Sequence, residues 1–147
     1  MIAYLISVDN VKKLGLVHEN ANDKLISVAI RRAQDLKIQE ALGSDLYNEL
    51  MNRVNNNTVT GDYLTLLRDY VAPCLSAYVD AYVSIFIQNK ITNKMENGDE
   101  NVDFTQKLEK QAMFYCERLI QYLEGANFPE YKKACNEKKS GYSFNWL

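Results

Sequence analysis

Histidine is nearly absent from this sequence, and so are the patterns that hold metals or perform acid–base chemistry. His18 is the only histidine, and neither HExxH nor CxxC spacing occurs. The strings GxxxxGK, GxGxxG and GxSxG are also missing, which argues against phosphate-binding loops and nucleophile elbows. A lone loop histidine is most simply a surface residue. We therefore expect no catalytic residue, no metal site and no cofactor, and a protein that is not an enzyme.

Neither sign of charge is in excess. Lys and Arg total 17 and Asp and Glu total 19, which gives a formal net charge of −2. A protein that binds DNA regardless of sequence normally carries a marked basic excess, because Lys and Arg make its phosphate contacts. Nucleic-acid binding as a main activity is therefore disfavoured, whereas a neutral wall beside passing DNA remains compatible with this composition.

Cysteine is scarce as well. Cys74, Cys116 and Cys135 are far apart in the sequence. Three such cysteines favour reduced thiols in a cytosolic product over a disulfide framework. Cys74 and Cys116 occupy core-facing positions of predicted helices, where we expect small buried hydrophobic residues rather than nucleophiles. The first residues, MIAYLISVDNVKKLGL, lack a basic region followed by a long apolar segment, so we expect no export signal.

One long apolar stretch dominates what the sequence does contain. Residues 63–91, YLTLLRDYVAPCLSAYVDAYVSIFIQNKI, place large apolar side chains at three- and four-residue steps. This spacing predicts a helix with a broad buried face. Charged residues within it, Arg68 and Asp80 among them, would be costly at membrane depth, so it is expected to be a buried soluble helix. Pro73 has no N–H for the preceding turn, and a bend is expected near Ala72.

Shorter periodic runs surround this stretch. They predict helices over residues 11–14, 23–42, 45–54, 103–125 and 129–136. The expected N-terminal capping residues are Asn22, Ser44, Asp62, Asp103 and the polar group 7–10. The predicted fold is all-α, a compact bundle of four to five helices with a long kinked central helix, 63–91, and an extended aromatic C-terminal tail. The bundle domain is expected to span residues 1–139 and the tail residues 140–147.

The tail has a pattern of its own. Tyr142, Phe144 and Trp146 alternate with Ser143 and Asn145, so an extended backbone would present three aromatic rings on one side. The rings either fold back onto a gap in their own core or bind another chain, since Trp and Tyr dominate interface hot spots. We favour the second interpretation and take Tyr142, Phe144 and Trp146 as candidate protein-interface residues.

The first third of the chain resembles a known family. The pattern consists of a short apolar start, SVDNVKKLGL at 7–16, Asn22-Asp23, Leu25-Ile26, Ala29, Ala33-Gln34, Ile38, Leu42-Gly43, Leu46-Tyr47 and Leu50. It resembles head-to-tail connector (adaptor) proteins of tailed bacteriophages, and looks most like those of phages of Bacteroidetes hosts, including the crAss-like group. The resemblance covers residues 1–54 by motif and the rest by helix order and length; the acidic loop 93–103 and the aromatic tail depart from shorter family members.

The resemblance implies a structural virion protein made in the cytoplasm of a bacterial host. Such proteins form a ring of about a dozen copies beneath the portal vertex, through a heterologous interface that closes. The implied partners are the portal protein, neighbouring copies of the same chain and other tail or ring proteins, while DNA passes through the channel without sequence-specific binding. No membrane is involved.

Two other classes remain open from the sequence. A small helical regulatory or interaction protein that binds a single partner would have the same composition and would give a defined small complex. An enzyme would need a convergent polar pocket, which these residues do not assemble.

Overall fold

A computed structural model describes residues 4–16, 21–92 and 99–132. These residues form five helices and no strand, which confirms the all-α prediction. Helix α1 is Val8–Leu14; α2 runs without a break through Asp23–Ala33, Gln34–Ile38 and Gln39–Leu42; α3 is Ser44–Asn55; α4 runs through Asp62–Thr65, Leu66–Val71 and Ala72–Thr92; and α5 is Asp99–Gly125.

Helix α4 is the centre of the bundle, as its apolar pattern predicts. It packs along α5 and α2 and also contacts α1. Its side chains Val71, Leu75 and Val79 are fully buried among residues of the other helices, such as Ile30 and Leu119. Full burial of one such aliphatic side chain contributes about 1.5–3 kcal/mol to folding. The core therefore holds α4 from several sides at once.

Two of the helices contain a π-helical segment. In α4 the segment is Leu66–Val71, and the N–H of Ala72 donates to the Leu67 carbonyl, five residues back. Pro73, which cannot donate, follows directly. The regular α-helical hydrogen bonding of α4 therefore changes next to the position at which Pro73 predicts a bend. In α2 the segment is Gln34–Ile38, with no proline nearby, and no residue pattern predicted it.

The π segment of α2 changes which residues are buried. The apolar residues Leu25, Ile26, Ala29, Ile30 and Ala33 keep helical spacing, and a regular α-helix would continue this face to Leu36 and place Leu36 in the core. Instead Leu36 is 56% exposed, while Gln34 and Ile38 are fully buried. One extra residue in a π turn rotates everything that follows relative to regular α-helical spacing. The expectation for Leu36 is wrong for this reason.

Some predicted helix starts are confirmed and others are wrong. The Asn22 side chain accepts a hydrogen bond from the Lys24 N–H, as a cap should. Ser44 and Asp62 do not cap; each is the first residue of its helix. The preceding residues Gly43 and Gly61 have φ values of 79° and 61°, a conformation that glycine tolerates and that turns the chain directly into the helix.

The predicted starts of α1 and α5 need adjustment. Ser7 caps α1, so this helix begins at Val8 rather than at residue 11, and Gly15 follows its last residue as expected. Helix α5 begins at Asp99, so the capping box predicted at Asp103 is wrong. No helix follows at residues 129–132, where only a turn forms, and the rest of the predicted 129–136 helix lies outside the described residues.

The described part of the chain contains one helix long and apolar enough to cross a membrane, Asp62–Ile87. Half of its most apolar window is buried inside the bundle. The central helix of a soluble bundle has these same properties, so the length and composition of α4 are weak evidence for a membrane span.

Candidate functional site

The candidate interface residues Tyr142, Phe144 and Trp146 lie outside the described residues, as do His18 and Cys135. The last described residue is Lys132.

Residues 126–132, which follow α5, are attached to the bundle by side-chain contacts. The Tyr63 hydroxyl at the start of α4 lies 2.8 Å from each carboxylate oxygen of Glu130. The Phe128 ring meets the Tyr63 ring edge-on, with centroids 5.2 Å apart. The Tyr131 hydroxyl donates to Glu124 at the end of α5, over 2.7 Å. The chain thus reaches Lys132 along a path fixed by side chains of α4 and α5.

Electrostatics strengthen this attachment. Burial, followed by the hydrogen bond and negative charge of Glu124, raises the pKa of Tyr131 well above the usual tyrosine value. Burial and the Glu130 carboxylate likewise raise the pKa of Tyr63. Both hydroxyls are therefore protonated donors throughout the neutral pH range.

Stacked rings and cations surround the same end of the bundle. Tyr70 and Tyr122 stack with centroids 3.9 Å apart and planes 8° from parallel. The Arg53 guanidinium lies 3.8 Å from the Tyr63 ring centroid and donates to Glu49 over 2.9 Å. These contacts bring the beginning of α4, the end of α5 and the end of α3 together in one aromatic cluster.

The N-terminal segment is fixed by two buried polar side chains. The Gln34 amide oxygen accepts the Leu5 N–H over 2.6 Å, and Gln34 faces the core four residues after the buried Ile30. The Asp80 carboxylate of α4 accepts the Leu16 N–H, with its two oxygens 3.1 and 3.2 Å away. Asp80 approaches so closely that a Cβ at Gly15 would lie 2.6 Å from Oδ1.

Helix α5 has an exposed face that carries two large aromatic side chains. Phe104, Lys107, Gln111, Phe114 and Arg118 recur at three- and four-residue steps, and all five are exposed. Phe104 is 53% and Phe114 58% exposed. We call this set the α5 outer face. The buried stripe of α5 does not by itself predict this face. Two phenylalanines off that stripe are the sequence feature that indicates an exposed apolar surface.

The two described cysteines contact each other. Cys74 of α4 and Cys116 of α5 are both free and buried. The Cys74 thiol donates a hydrogen bond to Cys116, which raises the pKa of Cys74 and lowers that of Cys116. The positive charge of Lys37 also lowers the pKa of Cys116, while burial raises it. Their predicted burial is confirmed, but their contact was not foreseen.

The described residues offer contact surfaces rather than a metal centre. Across residues 4–16, 21–92 and 99–132, no group of three or more His, Cys, Asp or Glu side chains is placed to hold a metal ion. The α5 outer face is an exposed surface with two aromatic side chains, and residues 126–132 hold Lys132 at a fixed point of the bundle.

Comparison with known proteins gives one result. Neither a search of curated proteins nor a search of solved structures finds a significant match. The model of a family described as "Family of unknown function (DUF6712)" matches residues 38–94 and 97–141. The matched stretches contain α3, α4, α5 and both buried cysteines, and they end just before Tyr142. Because they cover well over half of the sequence, the chain belongs to the DUF6712 family.

Proposed function

We propose that this chain is a structural virion protein, a subunit of the head-to-tail connector (adaptor) ring of a tailed bacteriophage. In this role it docks on the portal and extends the DNA channel toward the tail. The proposal starts from the resemblance of residues 1–54 to connector proteins. The observation that carries it further is a closed helical bundle with large aromatic side chains on its surface, Phe104 and Phe114.

The α5 outer face suits a protein partner. Its two phenylalanines lie among three polar side chains, Lys107, Gln111 and Arg118. Aromatic and arginine side chains provide most of the binding energy in protein interfaces, and flanking polar groups form a rim that stays hydrated when the partner is absent. In a connector ring this face would meet a neighbouring copy of the chain.

The aromatic tail would make a second contact, with the portal. Residues 126–132 end beside the beginning of α3, where Lys132 lies 3.7 Å from Asp45. Because residues 126–132 are bound to α4 and α5, Tyr142, Phe144 and Trp146 would search a limited volume near that point. A restricted search lowers the entropy lost on binding.

Charge is compatible with a channel wall. A surface that lets DNA slide must avoid tight phosphate binding, and the chain has a net charge of −2. The proposed role needs no catalysis, metal or cofactor, and places the protein in the virion after synthesis in the host cytoplasm.

The test is negative-stain microscopy and pull-down of the purified chain with a portal protein from the same source. We expect the isolated chain to be largely monomeric and rings to form only with the portal. A variant that lacks residues 140–147 should keep its helicity and melting temperature and lose portal attachment. The matched point variants are Tyr142→Ala with Phe144→Ala and Trp146→Ala, against the control pair Ser143→Ala and Asn145→Ala.

The α5 outer face has its own pair of variants. Phe104→Ala with Phe114→Ala should prevent ring closure, whereas Lys107→Ala with Gln111→Ala, from the same face, should weaken it little. A defined complex with one partner and no ring would instead favour a small helical interaction protein. Turnover of a substrate by the purified chain would contradict both.

A further inference from the structure

The second half of α2 carries an exposed apolar side chain beside two carboxylates. Leu36 is 56% exposed, and Asp35 and Glu40 are exposed as well. Glu40 follows Leu36 by four residues, so the two side chains are neighbours on the helix surface. We call Asp35, Leu36 and Glu40 the α2 patch. A partner that offers an apolar side chain and positive charge would be complementary to this patch.

The cations in the same part of α2 are directed at rings of α4 instead of at these carboxylates. The Arg32 guanidinium lies 5.4 Å from the centroid of the Phe86 ring, and the Lys37 ammonium lies 5.4 Å from that of the Tyr78 ring. Within the described part of the chain, no ion pair involves a carboxylate of the α2 patch. Both carboxylates are therefore available to a partner.

The α5 outer face has the opposite charge. Lys107 and Arg118 are cations, and no carboxylate belongs to this face. Among the described residues, neither cation takes part in an ion pair. Phe114, which is 58% exposed, precedes Arg118 by four residues, the same step that separates Leu36 from Glu40. If the two helices lie side by side and parallel, Phe114 covers Leu36 and Arg118 meets Glu40.

The two surfaces lie on different sides of one molecule. The Arg118 guanidinium lies 5.9 Å from the centroid of the Tyr70 ring of α4, whereas Arg32 of α2 lies over Phe86. Phe86 follows Tyr70 by sixteen residues, which corresponds to a rotation of about 160° around a helix. Each copy therefore presents the two surfaces in different directions, and a contact between them requires a second copy.

We propose that the α2 patch of one copy binds the α5 outer face of the next copy, with Leu36 against Phe114 and an ion pair between Glu40 and Arg118. This inference rests on the proposed ring and names the surface that the α5 outer face meets in it. The contact is heterologous, so a bound pair still has one free surface of each kind and addition continues until the ring closes. Both surfaces are small, so the free chain associates weakly and the portal promotes the contact by aligning copies.

Cross-linking at one end of this contact leaves the four contacting side chains intact. Lys107 precedes Phe114 by seven residues, and Val28 precedes Leu36 by eight, one of which is the extra residue of the π turn. The parallel pairing therefore brings Val28 close to Lys107. Val28 is 39% exposed, and Lys107 is exposed.

The experiment mixes two full-length proteins that both carry Cys135→Ser, one with Val28→Cys and the other with Lys107→Cys. A short bismaleimide is added with and without the portal, and the two native cysteines of the bundle are buried and do not compete. Peptide mapping should join residue 28 of one chain to residue 107 of the other. A chain with both substitutions should give a ladder of multimers. Preferred 28-to-28 or 107-to-107 products, or no product under either condition, would overturn the proposal.

Charge reversal tests the ion pair in the same mixture. Arg118→Glu in the Lys107→Cys protein should lower the yield of mixed product about tenfold, which corresponds to about 1.4 kcal/mol. Glu40→Arg in the Val28→Cys protein should restore the yield. Lys13→Glu, the same change of charge at an exposed position of α1, is the control and should leave the yield unchanged. A loss without rescue in folded proteins, as judged by circular dichroism, would contradict the pairing of Glu40 with Arg118.

The outcomes separate this inference from the proposed function. Cross-linked multimers of the free chain, without rings on the portal, would contradict the connector role and support the contact. Rings on the portal in which residues 28 and 107 do not cross-link would support the role and overturn the contact.

Discussion

Gly15 shows how one residue type can be required by a close contact rather than by backbone conformation. Its φ is −100°, which any residue adopts, so the need for glycine comes from its neighbours. A Cβ at this position would lie 2.6 Å from Asp80 Oδ1 and 2.9 Å from the Val11 carbonyl oxygen. The second of these atoms belongs to the backbone and cannot rotate away.

We therefore expect Gly15→Ala to destabilise the protein by about 1–3 kcal/mol, the usual cost of forcing an atom into an occupied site. Urea unfolding followed by circular dichroism measures the change. Gly125→Ala is the matched control, because nothing lies within 4 Å of a Cβ there. Equal effects of the two substitutions would show that neither Asp80 nor the Val11 carbonyl resists a Cβ at position 15.

At the residue scale the sequence predicted types of environment better than it predicted partners. Burial of Cys74 and Cys116 followed from helical spacing, but their contact depends on how α4 and α5 align, and the residues are separated by most of both helices. Gln34 is a second case: a glutamine is rarely expected in a core, and its partner, the Leu5 N–H, lies 29 residues earlier in the chain. Local patterns do not contain information of this kind.

At the scale of the element, α2 is where regular spacing fails. The position of its apolar residues predicts a single amphipathic helix, which is correct, but a π segment shifts the buried face within it. Helix ends were predicted well where a side chain caps, as at Asn22, and poorly where a glycine with positive φ starts the helix, as at Gly43. Glycine conformation cannot be inferred from composition alone.

Substitutions on either side of this shift test it. Leu36→Ala should change the free energy of unfolding by no more than about 0.5 kcal/mol, as expected for an exposed position. Ile38→Ala should cost about 2–5 kcal/mol, because Ile38 is fully buried. Chemical denaturation of both variants under the same conditions gives the comparison. The reverse order would mean that α2 is a regular α-helix with Leu36 in the core.

For the whole molecule, apolar periodicity predicts the fold class and the central place of α4, since a helix buried on several sides needs a wide apolar face. Apolar periodicity does not predict the candidate contact surfaces. Phe104 and Phe114 indicate a contact surface only when the remaining face of α5 is known to be buried. The position of Lys132 depends on hydrogen bonds between distant parts of the chain.

The tyrosines make the stability of the whole molecule sensitive to alkaline pH. Burial is the first cause of a raised pKa at Tyr47, Tyr63, Tyr82, Tyr122 and Tyr131. A pKa that is higher in the folded state stabilises the protein fully below the unfolded value of 10.0, and this contribution is lost as the pH rises above 10.0 toward the folded value. We expect the free energy of unfolding to decline above that pH.

Tyr131→Phe should make this decline shallower, because it removes the group whose pKa is raised most clearly by a neighbouring carboxylate. At neutral pH the same variant loses its hydrogen bond to Glu124, at a cost of about 1 kcal/mol. Urea unfolding at a series of pH values from neutral to strongly alkaline measures both effects. An unchanged alkaline slope in the variant would assign the effect to the other tyrosines.

The attachment of residues 126–132 also determines how mechanical load enters the protein. A pull on the chain beyond Lys132 is transmitted first to the Tyr131–Glu124 and Tyr63–Glu130 hydrogen bonds, before it reaches the last turn of α5. Tension is thereby shared between the two longest helices instead of peeling α5 from its free end.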